Sequence, residues 1–281
     1  MTNSVKDLRA EGAHLLKIAQ IESYTFECDI LLAYVLQKTK LFLLTYPDFE
    51  LSQEKVAIFN NFIDRRCNYE PLQYITGHQE FMGIDFKVTS DVLIPRQDTE
   101  ILVETLLEMC GNKNASILDL CCGSGCIGIS AAFYLKNSTV TMSDISEKAI
   151  CIGKINASTA NVIERTSFFI CDLFDNFSNV RFDYIVSNPP YIPMEDIEAL
   201  HPQVKDFEPI TALSGGLDGL DFYRRIISDA PLHLRQNGTL LLEVGINQAA
   251  AVSQLMEENF NSIQITKDLN SIDRVIYGIS R

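Results

Sequence analysis

The sequence predicts an α/β protein. A mostly parallel, seven-stranded sheet covered by helices follows a small all-helical domain and is joined to it by a β-hairpin. Three observations carry that expectation. Residues 1–75 place apolar side chains at helical spacing with no strand–helix alternation. Residues 81–88 alternate loosely around one glycine. From about residue 98, apolar runs alternate with helical segments, the pattern of a parallel sheet buried on both faces. The expected boundaries are 1–75 for the helical domain, 76–97 for the hairpin linker and 98–281 for the α/β domain.

The elements follow in order. Leu8, Leu15, Leu16 and Ile18 lie at helical spacing, and 30–36 continue the pattern. Ser52 is placed as an N-cap, with Glu54 in the first turn of a helix whose apolar face is Val56, Phe59, Phe62, Ile63 and Cys67. Phe81-Met82-Gly83-Ile84-Asp85-Phe86-Lys87-Val88 predicts the hairpin. A helix is expected over 101–109 and strands at 116–121, 139–144, 166–171, 182–187, 239–244, 262–267 and 274–279. Helices fit near 126–135, 146–158, 220–229 and 247–258. There is no internal repeat.

With 281 residues, 47% hydrophobic and 21% charged, the chain has the composition of a soluble globular protein of one large domain or two ordinary ones. No apolar run is long enough for a membrane helix, and no signal peptide is visible, so the cytoplasm is the expected location. The net charge of −14 argues against nucleic acid as the main partner and favours a protein. The eight cysteines show no paired Cys-x-x-Cys spacing and the four histidines are scattered, so no metal site is expected and small buried thiols are. A monomer is expected.

Ser116-Ile117-Leu118-Asp119-Leu120-Cys121 runs into Cys122-Gly123-Ser124-Gly125-Cys126-Ile127-Gly128, which opens a helix. The glycines let backbone approach a ligand, and the helix N-terminus offers free N–H groups. Asp144 ends the next strand, where a carboxylate can accept both ribose hydroxyls. The glycine spacing matches the dinucleotide fingerprint. A pyrophosphate beside Asp119 would be repelled, however, whereas S-adenosylmethionine has an amino acid end and no phosphate. Asp119 can order the loop and receive a ligand ammonium directly or through water, which favours S-adenosylmethionine, with S-adenosylhomocysteine as product. Asp172 ends the third strand, where it would approach the adenine amino group, with Leu173 or Phe174 over the ring. The bland alternatives are a glycine-rich turn without ligand and a helix cap at Asp172.

Asn188-Pro189-Pro190-Tyr191 follows the apolar run Phe182-Asp183-Tyr184-Ile185-Val186-Ser187. Each proline removes a backbone N–H and fixes φ, so the turn is stiff and presents carbonyl oxygens. Beside one amide and one aromatic ring, this is a clamp for a planar NH₂ group. The Asn188 side-chain oxygen and the Pro189 carbonyl would accept the two substrate N–H bonds, and Tyr191 would pack against the flat amide. The plain alternative is a rigid strand-to-loop turn.

These residues resemble a known family. Asp119-Leu120-x-x-Gly123-Ser124-Gly125 with Asn188-Pro189-Pro190-Tyr191 looks like a class I, Rossmann-like, S-adenosylmethionine-dependent methyltransferase acting on an amide or exocyclic amine. The fuller match is to the bacterial release factor glutamine methyltransferases (HemK-like proteins). It adds Glu70-Pro71-Leu72-Gln73-Tyr74-Ile75-x-Gly77, Val92-Leu93-Ile94-Pro95-Arg96-x-Asp98-Thr99-Glu100, Glu208-Pro209 with Ala212-Leu213, Gly215-Gly216-x-Asp218-Gly219-Leu220-Asp221, Glu243-x-Gly245-x-x-Gln248 and Asp273-Arg274. The resemblance covers almost the whole chain. It implies methyl transfer to N5 of the glutamine in the Gly-Gly-Gln motif of peptide chain release factors, in the cytoplasm, with the helical domain recognising the protein substrate.

The cofactor set is then Asp119, Cys121, Cys122, Gly123, Ser124, Gly125, Asp144, Asp172, Leu173 and Asn188. Asn188, Pro189, Pro190 and Tyr191 would hold the amide, with Asn188, Pro189 and Tyr191 carrying catalysis. The chain departs from the family at Cys121, where glycine is usual, at Cys122, where a small residue such as threonine stands, at Gln97, often proline, and at Leu173, sometimes aromatic. A cysteine at 121 held at φ > 0 would carry strain of ~1–2 kcal/mol.

Glu195, Asp196, Glu198, Asp206 and Glu208 would either flank the entry for a basic substrate or form a solvated loop. Arg96, Asp98 and Glu100 would order the domain junction or the cofactor's amino acid end. Rival functions with the same clamp are a glutamine methyltransferase of a ribosomal protein and an adenine-N6 nucleic-acid methyltransferase. A nicotinamide-dependent dehydrogenase is more distant.

Overall fold

A computed structural model describes residues 3–281. The chain forms two compact units, Met1–Gly77 with His201–Phe207, and His78–Leu200 with Glu208–Arg281.

The first unit is helical: α1 Val5–Ile18, α2 Tyr24–Leu36, α3 Lys40–Thr45, α4 Gln53–Cys67, α5 Leu72–Thr76 and the short α9 Pro202–Lys205. Side chains of Ser4, Thr39 and Ser52 accept backbone N–H bonds at the starts of α1, α3 and α4, satisfying donors a helix leaves open. Leu16, Leu31, Leu32, Phe59 and Ile63 are buried together in one core. Gly12 lets α1 pack closely, since a Cβ there would meet Cys28 Sγ and the Phe59 ring at 2.9 Å. The His201 ring stands edge-on to Tyr69, 5.4 Å between centroids, within the same unit.

The second unit opens with the hairpin β1 His78–Phe81 and β2 Ile84–Lys87. Its two-residue turn puts Met82 at φ 52° and Gly83 at φ 70°, the twist a tight hairpin favours. The helices are α6 Glu100–Cys110, α7 Cys126–Tyr134, α8 Glu147–Thr159, α10 Ile210–Leu213, α11 Asp221–His233 and α12 Ala249–Met256. The strands are β3 Ser116–Leu120, β4 Thr139–Asp144, β5 Thr166–Ile170, β6 Phe182–Ser187, β7 Leu234–Glu243, β8 Phe260–Lys267 and β9 Asp273–Ser280. They form one sheet in the order β5-β4-β3-β6-β7-β9-β8. The first five pair in parallel, and β9 enters antiparallel between β7 and β8. Two apolar clusters fill the faces, one including Ile117, Ile129, Val140 and Val186, the other Leu118, Ile185, Tyr223 and Leu240.

The sheet is the Rossmann-like arrangement expected. Two elements run at least three residues past an expected end. α11 continues through Pro231 to His233. Pro231 lies in the last turn, where removing one N–H costs a single bond and does not break the helix core. β7 begins at Leu234 because Phe182 pairs with it before a register shift, so the polar residues 235–238 ride on a bulged strand that no alternation marks. α9 and α10 were not anticipated; four residues are too few for a periodic pattern.

Candidate active site

Strand order reverses between β3 and β6, which are neighbours in the sheet although β4 and β5 intervene in sequence. In such sheets the crevice beyond the strands' C-terminal ends at that reversal is where ligands bind. The turns after β3 and β6 meet there.

The turn after β3 is built from unusual backbone. β3 stops at Leu120 because Cys121 is left-handed, φ 56°, so the expected strain of ~1–2 kcal/mol applies. Gly123 follows at φ 53° and Gly125 at φ 80°. The space where a Gly123 Cβ would stand is open to 4 Å. Cys122 N donates to Ser143 O at 3.0 Å, and Gly123 N donates to Asp144 Oδ2 at 2.9 Å, tying the turn to β4.

Asp119 Oδ2 accepts from Gly128 N at 2.9 Å, while its buried Oδ1 has no hydrogen-bond partner. Burial pushes its carboxyl up to about 8, against the opposing pull of the Gly128 N–H. Gly128 has no room for a side chain; a Cβ would lie 2.7 Å from Met142 and 2.9 Å from Asp119 Oδ2. Asp144 also accepts from Ser146 N at 2.9 Å, and burial raises its pKa.

A cavity of about 380 Å³ opens over these strand ends. Of the residues singled out from sequence, Cys121, Gly123, Asp144, Asp172, Leu173, Asn188 and Pro190 line it. Asp119, Cys122, Ser124 and Gly125 are buried and do not line it, and Pro189 and Tyr191 also stand outside the lining. The Tyr191 ring packs against the second apolar cluster, and burial pushes its phenol up to about 12. Its carbonyl accepts from Gln248 Nε2 at 2.9 Å.

Asn188 Nδ2 donates to Thr99 Oγ1 at 3.3 Å. Asp172 forms an ion pair with Arg225 Nη2 at 2.8 Å, and both edge the cavity. Leu173 is left-handed at φ 45° and buried.

The cavity is also lined by Asp91, Ile145, Ser146, Phe222 and Arg225, which were not singled out, by Val92 and Leu93 of a matched stretch, and by a wall from 209–214. That wall hangs on the turn after β6, since Ile192 N donates to Leu213 O and Gly215 N to Ile192 O, both at 2.9 Å. Only the matched Glu208-Pro209 stretch pointed to it. Glu208 belongs to neither an entry patch nor a solvated loop. Its side chain is fully buried and paired with Arg96. Asp98 pairs with Arg274 at 2.8 Å and Glu100 accepts from Met82 N at 2.6 Å, so these two brace structure within the second unit. Among the described residues, no group of three or more His, Cys, Asp or Glu is placed to hold a metal ion, and no helix is long and apolar enough to cross a membrane.

A seven-stranded sheet with this order and an acidic, glycine-rich turn at its reversal defines the class: a Rossmann-like methyltransferase. Residues 96–201 match the methyltransferase small domain and residues 7–77 the PrmC N-terminal domain. The fold is similar to the hMettl16 catalytic domain solved with the MAT2A 3'UTR hairpin 6, at TM-score 0.60 and 15% identity over 88% of this chain and 91% of that one. The chain is 42% identical over 279 residues to a release factor glutamine methyltransferase of Clostridium acetobutylicum, covering 98% of both. It is 44% identical over 276 residues to one of Clostridium botulinum, covering 97% of this chain and 98% of the relative. The chain belongs to the release factor glutamine methyltransferase family.

Proposed function

We propose that the protein transfers the methyl group of S-adenosylmethionine to the N5 amide nitrogen of the glutamine in the Gly-Gly-Gln motif of peptide chain release factors. One observation carries the chemistry: Asn188 edges the cavity with its amide nitrogen turned to Thr99, leaving the side-chain oxygen as the free acceptor. Full-length relatives named for that activity support the substrate.

The residues present fit the cofactor. Asp144 faces the cavity where ribose hydroxyls need an acceptor, and the orphaned Asp119 Oδ1 suits a nearby ammonium, directly or through water. The open space over Gly123 lets a ligand lie on backbone. Leu173 and Phe222 offer apolar surface to a purine, with Asp172 at its edge. When bound, S-adenosylmethionine supplies an electrophilic sulfonium methyl.

An amide nitrogen is a poor nucleophile because its lone pair is delocalised. The protein's task is therefore orientation. The Asn188 oxygen and the Pro189 carbonyl accept the two substrate N–H bonds and turn the nitrogen toward the methyl. Such positioning lowers a barrier by up to ~7–11 kcal/mol in favourable cases. Tyr191 supports the turn from the core side and keeps the clamp stiff. The helical unit recognises the intact protein substrate, and the eight free cysteines suit a reducing cytoplasm.

Mass spectrometry of a release factor incubated with enzyme and cofactor tests the assignment. One added methyl on the Gly-Gly-Gln peptide is expected. Asn188→Ala is expected to keep cofactor affinity and lose turnover on the order of 100-fold. Wild-type turnover in that variant rules the clamp out.

A further inference from the structure

Asn188 can hold a substrate amide only if its own amide points one way. Rotated by 180°, it would present N–H groups to the substrate NH₂, donor against donor. Sequence and local sterics do not choose between these orientations, because the oxygen and nitrogen ends are nearly the same size. What faces the other side of the amide decides.

That side is set by register. β6 and β7 run parallel with Ser187 opposite Leu242, so Asn188, the first residue past β6, comes beside Glu243, the last residue of β7, which is still paired with Val275 of β9. Glu243 and Thr99 are each 2% exposed. The side chains of Thr99 and Asn188 are the hydrogen-bond donors that face the Glu243 carboxylate, and its Oε2 has no partner at all. Arg274 lies near, but it is already engaged by Asp98 at 2.8 Å and Asp268 at 2.9 Å. Asp98, Tyr191, Tyr223 and Cys126 are the other titratable groups around Glu243. Tyr223 spends its hydroxyl on the Glu243 main-chain carbonyl at 2.9 Å.

We propose that Glu243 is the positioning residue of the clamp: as an ionised, acceptor-only group beside Asn188, it holds the Asn188 Nδ2 inward and thereby presents Oδ1 to the substrate amide. Thr99 assists as the second inward acceptor, its Oγ1 taking Nδ2 at 3.3 Å. The inference rests on the reading of Asn188 as the substrate clamp. A protonated Glu243 can donate to Asn188 Oδ1 and so stabilises the reversed, unproductive orientation. Glu243 has the burial for such a switch, its carboxyl being pushed up to about 7. Turnover should therefore rise as Glu243 loses its proton.

The test is Glu243→Gln in the full chain, assayed at saturating cofactor across pH with a release factor substrate. Glutamine keeps the shape but faces Asn188 with a donor as readily as an acceptor. The expected result is a fall in kcat on the order of 100-fold, with cofactor affinity by titration calorimetry and thermal midpoint near wild type. The rise of kcat near neutral pH expected of the wild type should disappear. Wild-type kcat in Glu243→Gln overturns the proposal. So does a parallel loss of kcat and cofactor affinity with the pH profile unchanged, which marks a general structural role. If Glu243→Gln does not fold, Thr99→Val and Thr99→Ser decide: Val should lower kcat and Ser restore it, and wild-type turnover in Thr99→Val overturns the proposal. Asn188→Ala separates the two readings. Its retention of turnover defeats the clamp itself, whereas its collapse beside an active Glu243→Gln defeats only the role of Glu243.

Discussion

Asp119 titrates in reverse of an exposed aspartate. Its carboxyl sits at about 8 in the folded chain, against a usual value near 3.9 in the unfolded one, because burial opposes the charge. Between those values the folded state holds a proton that the unfolded state has released. The stability this group adds is full below about pH 4 and is lost as pH rises through 8, with a slope of at most about 1.4 kcal/mol per pH unit. Asp119→Asn removes the titration. Urea midpoints measured from pH 5 to pH 8.5 should decline less in that variant than in wild type; an equal or steeper decline refutes the account. Asp119, Asp144 and Asn188 were legible in the sequence because each follows or ends an apolar run, and strand ends are where a parallel sheet meets its ligand. Arg225 and Phe222 were not, because Arg225 sits on the polar side of a helix and Phe222 at the edge of its apolar face, and the helix's pattern says only that it is amphipathic.

At the scale of elements, the contact between α7 and the strands depends on one missing side chain. Gly128→Ala would drive a Cβ to 2.7 Å from Met142 and 2.9 Å from Asp119 Oδ2. Overpacking of this kind costs about 1–3 kcal/mol. The strain falls on the helix that follows the glycine-rich turn, so if that turn holds the cofactor the variant should lower the urea midpoint and weaken cofactor affinity together; affinity intact with stability lost would separate the two. The central parallel strands β3 and β6 were readable because a strand buried on both faces is a largely apolar run. The bulged start of β7 was not readable, since pairing with Phe182 makes it a strand while 235–238 remain polar. The clamp's second wall, 209–214, escaped for a similar reason: its shape comes from backbone bonds to Ile192, which leave no side-chain signature.

At the scale of the molecule, the helical unit carries apolar side chains that its core does not use. Leu41 is 70% exposed and Leu44 62%, three residues apart on α3. If this unit reads the protein substrate, Leu41→Ser with Leu44→Ser should raise the KM for an intact release factor by about tenfold, a typical loss for a buried contact at an interface. The KM for a short Gly-Gly-Gln peptide should not move. Equal effects on both substrates, or none on the intact factor, would remove the unit from recognition.

The chain does not pass from the helical unit to the sheet unit once. It leaves after Gly77, returns at His201 and leaves again after Phe207. The two units are therefore interleaved along the chain and cannot be divided into an N-terminal and a C-terminal gene fragment without orphaning a strip of one in the other. A truncation starting at residue 78 strands 201–207 without the helices it packs among. Exchanging the helical unit for that of a relative means transplanting two separate segments. If the helical unit reads the protein substrate, a lineage that changes that substrate must alter both segments, and the second of them runs in sequence straight into the 209–214 wall of the cavity.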